Sequence, residues 1–169
     1  KDLPGTAYPI PEDASSNGCH WPVSFKLRVP DTWQSGYYVA KMQVADGGGV
    51  FTHRNHRTAE GSLFFVVRPA QPGRDTKILI QLATNSYNAY NNWGGFSLYA
   101  FHGRSNLQGH RVSFNRPLGG FFSNWEQPFV AWAERNGYVL DYAVNTDLEF
   151  HPEILQHYKM VLSVGHDEY

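Results

Sequence analysis

With a single cysteine, Cys19, the chain has no second thiol to pair with, so no internal disulfide framework holds its fold. That scarcity, with no apolar leader segment ahead of it, points to an intracellular, cytoplasmic compartment. An excess of one charge is also lacking. The 14 Lys and Arg residues stand against 15 Asp and Glu, a formal net charge of −1. No surplus positive field is available to gather phosphate backbones or anionic lipid, which argues against a nucleic-acid partner. Long hydrophobic runs are missing as well. Leu63 to Val67 and Ile78 to Ile80 fall far short of the roughly 20 apolar residues that span a bilayer, so no membrane helix is expected.

What is present is material for a core. Hydrophobic residues make up 41% of the 169, enough to bury one large domain or two small ones. Aromatics at 15%, with 16 glycines and 10 prolines, suit a loop-rich protein with substantial β structure.

The apolar pattern divides the chain near residue 75. Val23 to Val29, Gly36 to Val44 and Ser62 to Arg68 are β-prone runs separated by Pro30-Asp31 and Asp46-Gly47-Gly48-Gly49, which predicts a β-sandwich-like unit over residues 1–75. Alternation along the second run puts Tyr38, Ala40, Met42 and Val44 on one face, and Tyr38 is expected to point inward. Pro69 to Asp75 has the composition of a linker.

Over residues 76–169 the pattern changes. Lys77 to Ala83 predicts a buried strand followed by a long polar-aromatic loop, and a helix is expected from near Asn124, with Pro128 in its first turn, to Asn136-Gly137. Tyr138 to Val144 predicts a second strand, His151 to Tyr158 a short helix and Met160 to Val164 a third strand. Strands alternating with helices imply the start of a parallel α/β sheet, so the fold class expected overall is α+β followed by α/β. Three strands make a thin parallel sheet, and the third runs straight into Gly165-His166-Asp167-Glu168-Tyr169 where a strand-to-helix turn ought to begin. The segment is therefore expected to be the first, truncated part of a longer domain.

Ligands of open parallel sheets collect at the carboxyl ends of the strands. Two polar clusters fall there, Thr84 to Gly95 and Gly165 to Glu168, and they should face one another. Asn and Gly in such positions also simply build turns, and an acidic cluster also caps a following helix.

Asn85-Ser86-Tyr87-Asn88-Ala89-Tyr90-Asn91-Asn92-Trp93-Gly94-Gly95, Asn136 to Tyr142 and Val161 to Tyr169 together resemble the N,N-dimethylformamidase large (beta) subunit family. The match covers most of residues 76–169; Trp33 to Tyr38 and Leu63 to Pro69 extend it more loosely. The resemblance implies a parallel sheet of glutamine amidotransferase-like kind. It also implies a mononuclear ferric site, Fe3+ held by two tyrosinates and one glutamate, that hydrolyses a small amide to an amine and a carboxylic acid. Carried onto this sequence, Glu168 is the carboxylate ligand, Tyr87 and Tyr38 are the tyrosinates, and His166 stands beside them as a catalytic group. Tyr90 remains the alternative to Tyr87, and Tyr37 the alternative to Tyr38. The expected partners are the small amide and further copies of the chain, with room for a small companion subunit.

The chemistry is coherent. Oxygen donors suit a hard cation, and a multivalent ion holds a phenol deprotonated well below its free pKa of about 10. Such an ion polarises an amide carbonyl and supplies a bound hydroxide, while His166 positions that hydroxide or passes a proton to the leaving amine. His53 and His56, three apart, lack an evident third ligand for zinc, and His102, His110, His151 and His157 read as surface or turn residues. Two other readings compete. A cysteine-type amidase needs a thiol on a strand-to-helix elbow, and Cys19 lies far from every strand end. A non-catalytic sugar-binding or protein-binding module would use Tyr90, Trp93, Trp125 and the asparagines as its surface.

Overall fold

The structure is a computed structural model that describes residues 6–43 and 60–169. The expected turn at Asp46 to Gly49, Val44 at the end of the second run, and the His53/His56 pair lie outside the described residues. Among the described residues two sheets form, one antiparallel and one parallel, so the mixed architecture expected from the sequence is present.

The parallel sheet is organised by β3 (Ile78–Leu82), whose Leu79, Ile80 and Leu82 are fully buried. Burial of this kind is worth roughly 2 kcal/mol per large aliphatic side chain, and it selects β3 as the central strand. β4 (Asp141–Val144) pairs on one side, Leu79 opposite Asp141, and β5 (Met160–Ser163) on the other, Ile78 opposite Met160. The order is β4-β3-β5, all parallel. The connection between β3 and β4 contains α3 (Glu126–Arg135), whose Val130 and Ala133 pack with Ile80, Leu82, Leu140 and Tyr142 in the main core cluster. α3 ends where the sequence placed the stop. Gly137 takes φ of +79°, its N–H bonds Glu134 O, and Tyr138 N bonds Ala133 O, a Schellman closure that needs a left-handed residue.

The first half departs from expectation. Its described strands are β1 (Gly36–Gln43) and β2 (Glu60–Val67), one antiparallel ribbon, and not the two layers of a sandwich. Val23 to Val29 runs without regular secondary structure. The ribbon also turns the opposite face inward. Tyr37 stacks on Phe122 at 3.9 Å and on Phe64 at 5.1 Å, and Val66 packs on the core. Tyr38 lies on the other face, in a cluster with Trp33 and Phe65. Strand alternation gave the two sets correctly, but which set faces the core is decided by Phe122, more than eighty residues away in sequence.

Among the described residues, three short α-helices were not anticipated: α1 (Ala14–Asn17), α2 (Thr84–Tyr90) and α4 (Asn145–Phe150). α2 matters most, because Thr, Asn, Ser and Tyr are poor helix formers and the segment reads as a loop. It is held from outside. Asn145 Oδ1 accepts the free N–H of Asn85, and Arg116 donates to the Asn88 carbonyl near the other end. Among the described residues, no helix is long and apolar enough to cross a membrane.

Candidate metal centre

β3 leads through Ala83 into α2, and β5, its parallel neighbour, leads into Gly165 to Glu168, so both polar clusters open at one sheet edge. Ser86 and Tyr90, four apart on α2, face the same way and both grip Glu168. Ser86 Oγ, fully buried, accepts the Glu168 N–H at 2.7 Å and the Tyr169 N–H at 3.3 Å. Tyr90 donates its hydroxyl to Glu168 Oε2 at 2.9 Å.

The turn that presents Glu168 is tightly specified. Gly165 has φ of +87°, and a Cβ there would collide with Trp125 Cβ, so only glycine fits. Asp167 then anchors the segment to the strand ends. It accepts Gln81 Nε2 at 2.6 Å from β3, Ser163 Oγ at 2.9 Å from β5 and Asn145 Nδ2 at 3.3 Å from the start of α4.

Four side chains meet at this point, with Glu168 at the centre. Its Oε2 receives the Tyr90 hydroxyl, the Tyr99 hydroxyl and, at 2.9 Å, His166 Nε2, and Tyr90 and His166 are themselves 3.0 Å apart. The Tyr90 and Tyr99 rings stack at 4.1 Å, which aligns the two phenols. Hydrogen bonds from Tyr99, Tyr90 and His166 hold the Glu168 carboxyl below the usual carboxylate range. Desolvation, and then the bond to Glu168, push the Tyr99 phenol upward. His166 and Glu168 remain about half exposed, so solvent reaches them.

This donor set fits a hard cation. Phenolic protons lie between phenol and carboxylate oxygens, and a multivalent ion binds by displacing such protons. Among the described residues no three His, Cys, Asp or Glu side chains gather as a ligand set, so the tyrosine oxygens are needed for such an ion to be held.

The residues named from the sequence thus separate. Glu168 and His166 are together. Tyr87, one helical turn before Tyr90, is buried and donates to Glu126 Oε1, and Tyr38 donates to the Gln34 carbonyl at 2.8 Å. Burial pushes both the Tyr87 phenol and the Glu126 carboxyl upward in pKa, and among the described residues Glu126 Oε2 has no hydrogen-bond partner. Phe121 stands between the two tyrosine environments, edge-on to Tyr87 and to Tyr90 at 5.7 Å each. The alternative Tyr90 therefore reaches Glu168, and Tyr37 packs in the core with its phenol pushed up to about 12 by burial and by Glu126. Tyr99 carries no motif of its own in the sequence, although it lies in the same polar-aromatic stretch as Tyr90, four residues past Gly95. His102, read as a surface or turn residue, ends the 3-10 turn of Ala100–His102, with its ring 5.9 Å from that of Tyr90.

The profile of the family described as "N,N-dimethylformamidase beta subunit-like, C-terminal" matches residues 3–169. Among characterised proteins, the N,N-dimethylformamidase beta subunits of Paracoccus aminophilus and of an Alcaligenes species are each 26% identical over 195 aligned positions, covering 89% of this chain. The match takes in 24% of each of those relatives, so the chain spans about a quarter of their length. With residues 3–169 matched, the chain belongs to the N,N-dimethylformamidase beta subunit-like family, in the part that family defines as C-terminal.

Proposed function

We propose that this chain carries the metal-binding part of an amide hydrolase, with Tyr90, Tyr99 and Glu168 holding a mononuclear ferric ion and His166 moving the proton. The observation that carries the reading is the meeting of both phenols and the imidazole on a single oxygen, Glu168 Oε2. Family membership supports the reaction class, since the relatives are named as subunits of a dimethylformamidase. A bound ferric ion would supply a Lewis acid for the amide carbonyl.

The residues of the chain do the rest. Water adds through oxygen to the carbonyl carbon, the C–N bond breaks, and one proton of that water must reach the departing nitrogen. His166 Nε2 is placed to carry it, because Glu168 and Tyr90 fix the ring and half of it remains open to solvent. The groups used, Tyr90, Tyr99, His166 and Glu168, all lie within residues 76–169. Residues 1–75 contribute support, packing Tyr37 and Val66 against the core of the parallel sheet.

The substrate class proposed is a small amide such as the N,N-dimethylformamide of the relatives' name, and because those relatives are named as beta subunits, a companion subunit is part of the proposal. His166→Ala in the full-length protein tests the division of labour. It should keep most of its iron and lose hydrolysis by roughly 10²- to 10⁴-fold. Unchanged hydrolysis would remove His166 from the reaction.

A further inference from the structure

Arg116 is 7% exposed and, among the described residues, pairs with no carboxylate. Its donors go to carbonyl groups instead. Nε bonds Ser113 O at 2.9 Å, Nη1 bonds Trp93 O at 2.5 Å and Phe96 O at 3.4 Å, and Nη2 bonds Asn88 O at 3.2 Å and Asn88 Oδ1 at 3.1 Å. A buried guanidinium is costly unless its donors are satisfied, and here five contacts satisfy them.

Apart from Ser113 O, the acceptors fall on one loop. Asn88 and Trp93 bracket Tyr90, and Phe96 lies three residues before Tyr99. Leu98 N bonds Ala89 O at 2.9 Å and closes the neck of this loop. One guanidinium therefore fills the loop whose two ends carry the stacked phenols. We propose that Arg116 is a positioning residue that sets the relation between Tyr90 and Tyr99, acting through the backbone of residues 88–96. The inference rests on the proposed role of those two tyrosines. Lysine offers three donors from one point and cannot reproduce the planar fork.

The test uses the full-length protein, as wild type, Arg116→Lys and Arg116→Ala, first metal-free by amide hydrogen exchange and then after ferric loading by visible spectroscopy. In metal-free Arg116→Lys the Leu98 amide should exchange at least about tenfold faster while the β3 amides stay within about twofold of wild type. Added guanidinium should restore Leu98 protection in Arg116→Ala. After loading, the tyrosinate band of Arg116→Lys should shift or weaken. Unchanged Leu98 exchange, or equal loss of protection at Leu98 and in β3, would overturn the proposal, the latter because it marks a general core role. Should wild type take up no iron, the functional reading fails, and exchange still decides whether Arg116 orders the loop.

Discussion

Tyr90 and Glu168, 78 residues apart in sequence, are joined by a hydrogen bond of 2.9 Å from the phenol to carboxylate Oε2. The contact exists because β3 and β5 are parallel neighbours, so the helix after one and the turn after the other emerge side by side. Ser86 fastens the backbone of Glu168 to the same helix, which leaves its side chain little freedom to be elsewhere.

Gly165→Ala should damage both fold and site. The backbone there is left-handed, and the new methyl group would run into Trp125 Cβ. A loss of roughly 1–3 kcal/mol is expected from strain of this kind, read by denaturant titration. Hydrolysis should fall with it, since His166 and Glu168 follow directly. A variant as stable as wild type would show that the turn is not constrained as described.

Asp167→Asn should loosen the segment without touching the four meeting groups. The carboxylate accepts from Gln81, Asn145 and Ser163, and an amide in its place turns donors toward donors. Stability should drop by about 1–3 kcal/mol, measured by thermal or denaturant unfolding. No change would mean that the three contacts are not made together in solution.

Glu126 should give stability a pH dependence. The carboxyl is 1% exposed, and burial raises its folded-state pKa above the unfolded value of about 4.3. Above that value the folded chain binds more protons than the unfolded chain, so this contribution is full below about pH 4.3 and is lost as pH rises through the folded pKa. Glu126→Gln keeps an acceptor for Tyr87 and removes the ionisation. Its stability relative to wild type should therefore increase as pH rises above about 4.3, and parallel pH profiles would contradict the prediction.

Some of this was legible in the sequence. The strand of Ile78 to Leu82, the helix closed by Asn136-Gly137 and the His166/Glu168 pair follow from burial, cap chemistry and motif, which are local. The tyrosines were harder, because Tyr87, Tyr90, Tyr37 and Tyr38 are alike in kind, and what separates them is which neighbour each ring and hydroxyl meets. Those neighbours, Glu126, Phe122 and Tyr99, lie on other elements. α2 was hidden for a related reason: it has no side-chain cap of its own, and Asn145 and Arg116, distant in sequence, supply side-chain contacts near its two ends.

The central claim is that Tyr90 and Tyr99, with Glu168, hold the metal, and ferric titration of the full-length protein followed in the visible range tests it most directly. Phe keeps the ring and most of its buried area, so each Tyr→Phe variant removes one hydroxyl. Wild type should bind iron and show a phenolate-to-iron band that weakens in Tyr90→Phe and in Tyr99→Phe but persists in Tyr38→Phe and Tyr87→Phe. Full colour in Tyr90→Phe and Tyr99→Phe, with bleaching in Tyr38→Phe or Tyr87→Phe, would contradict the account.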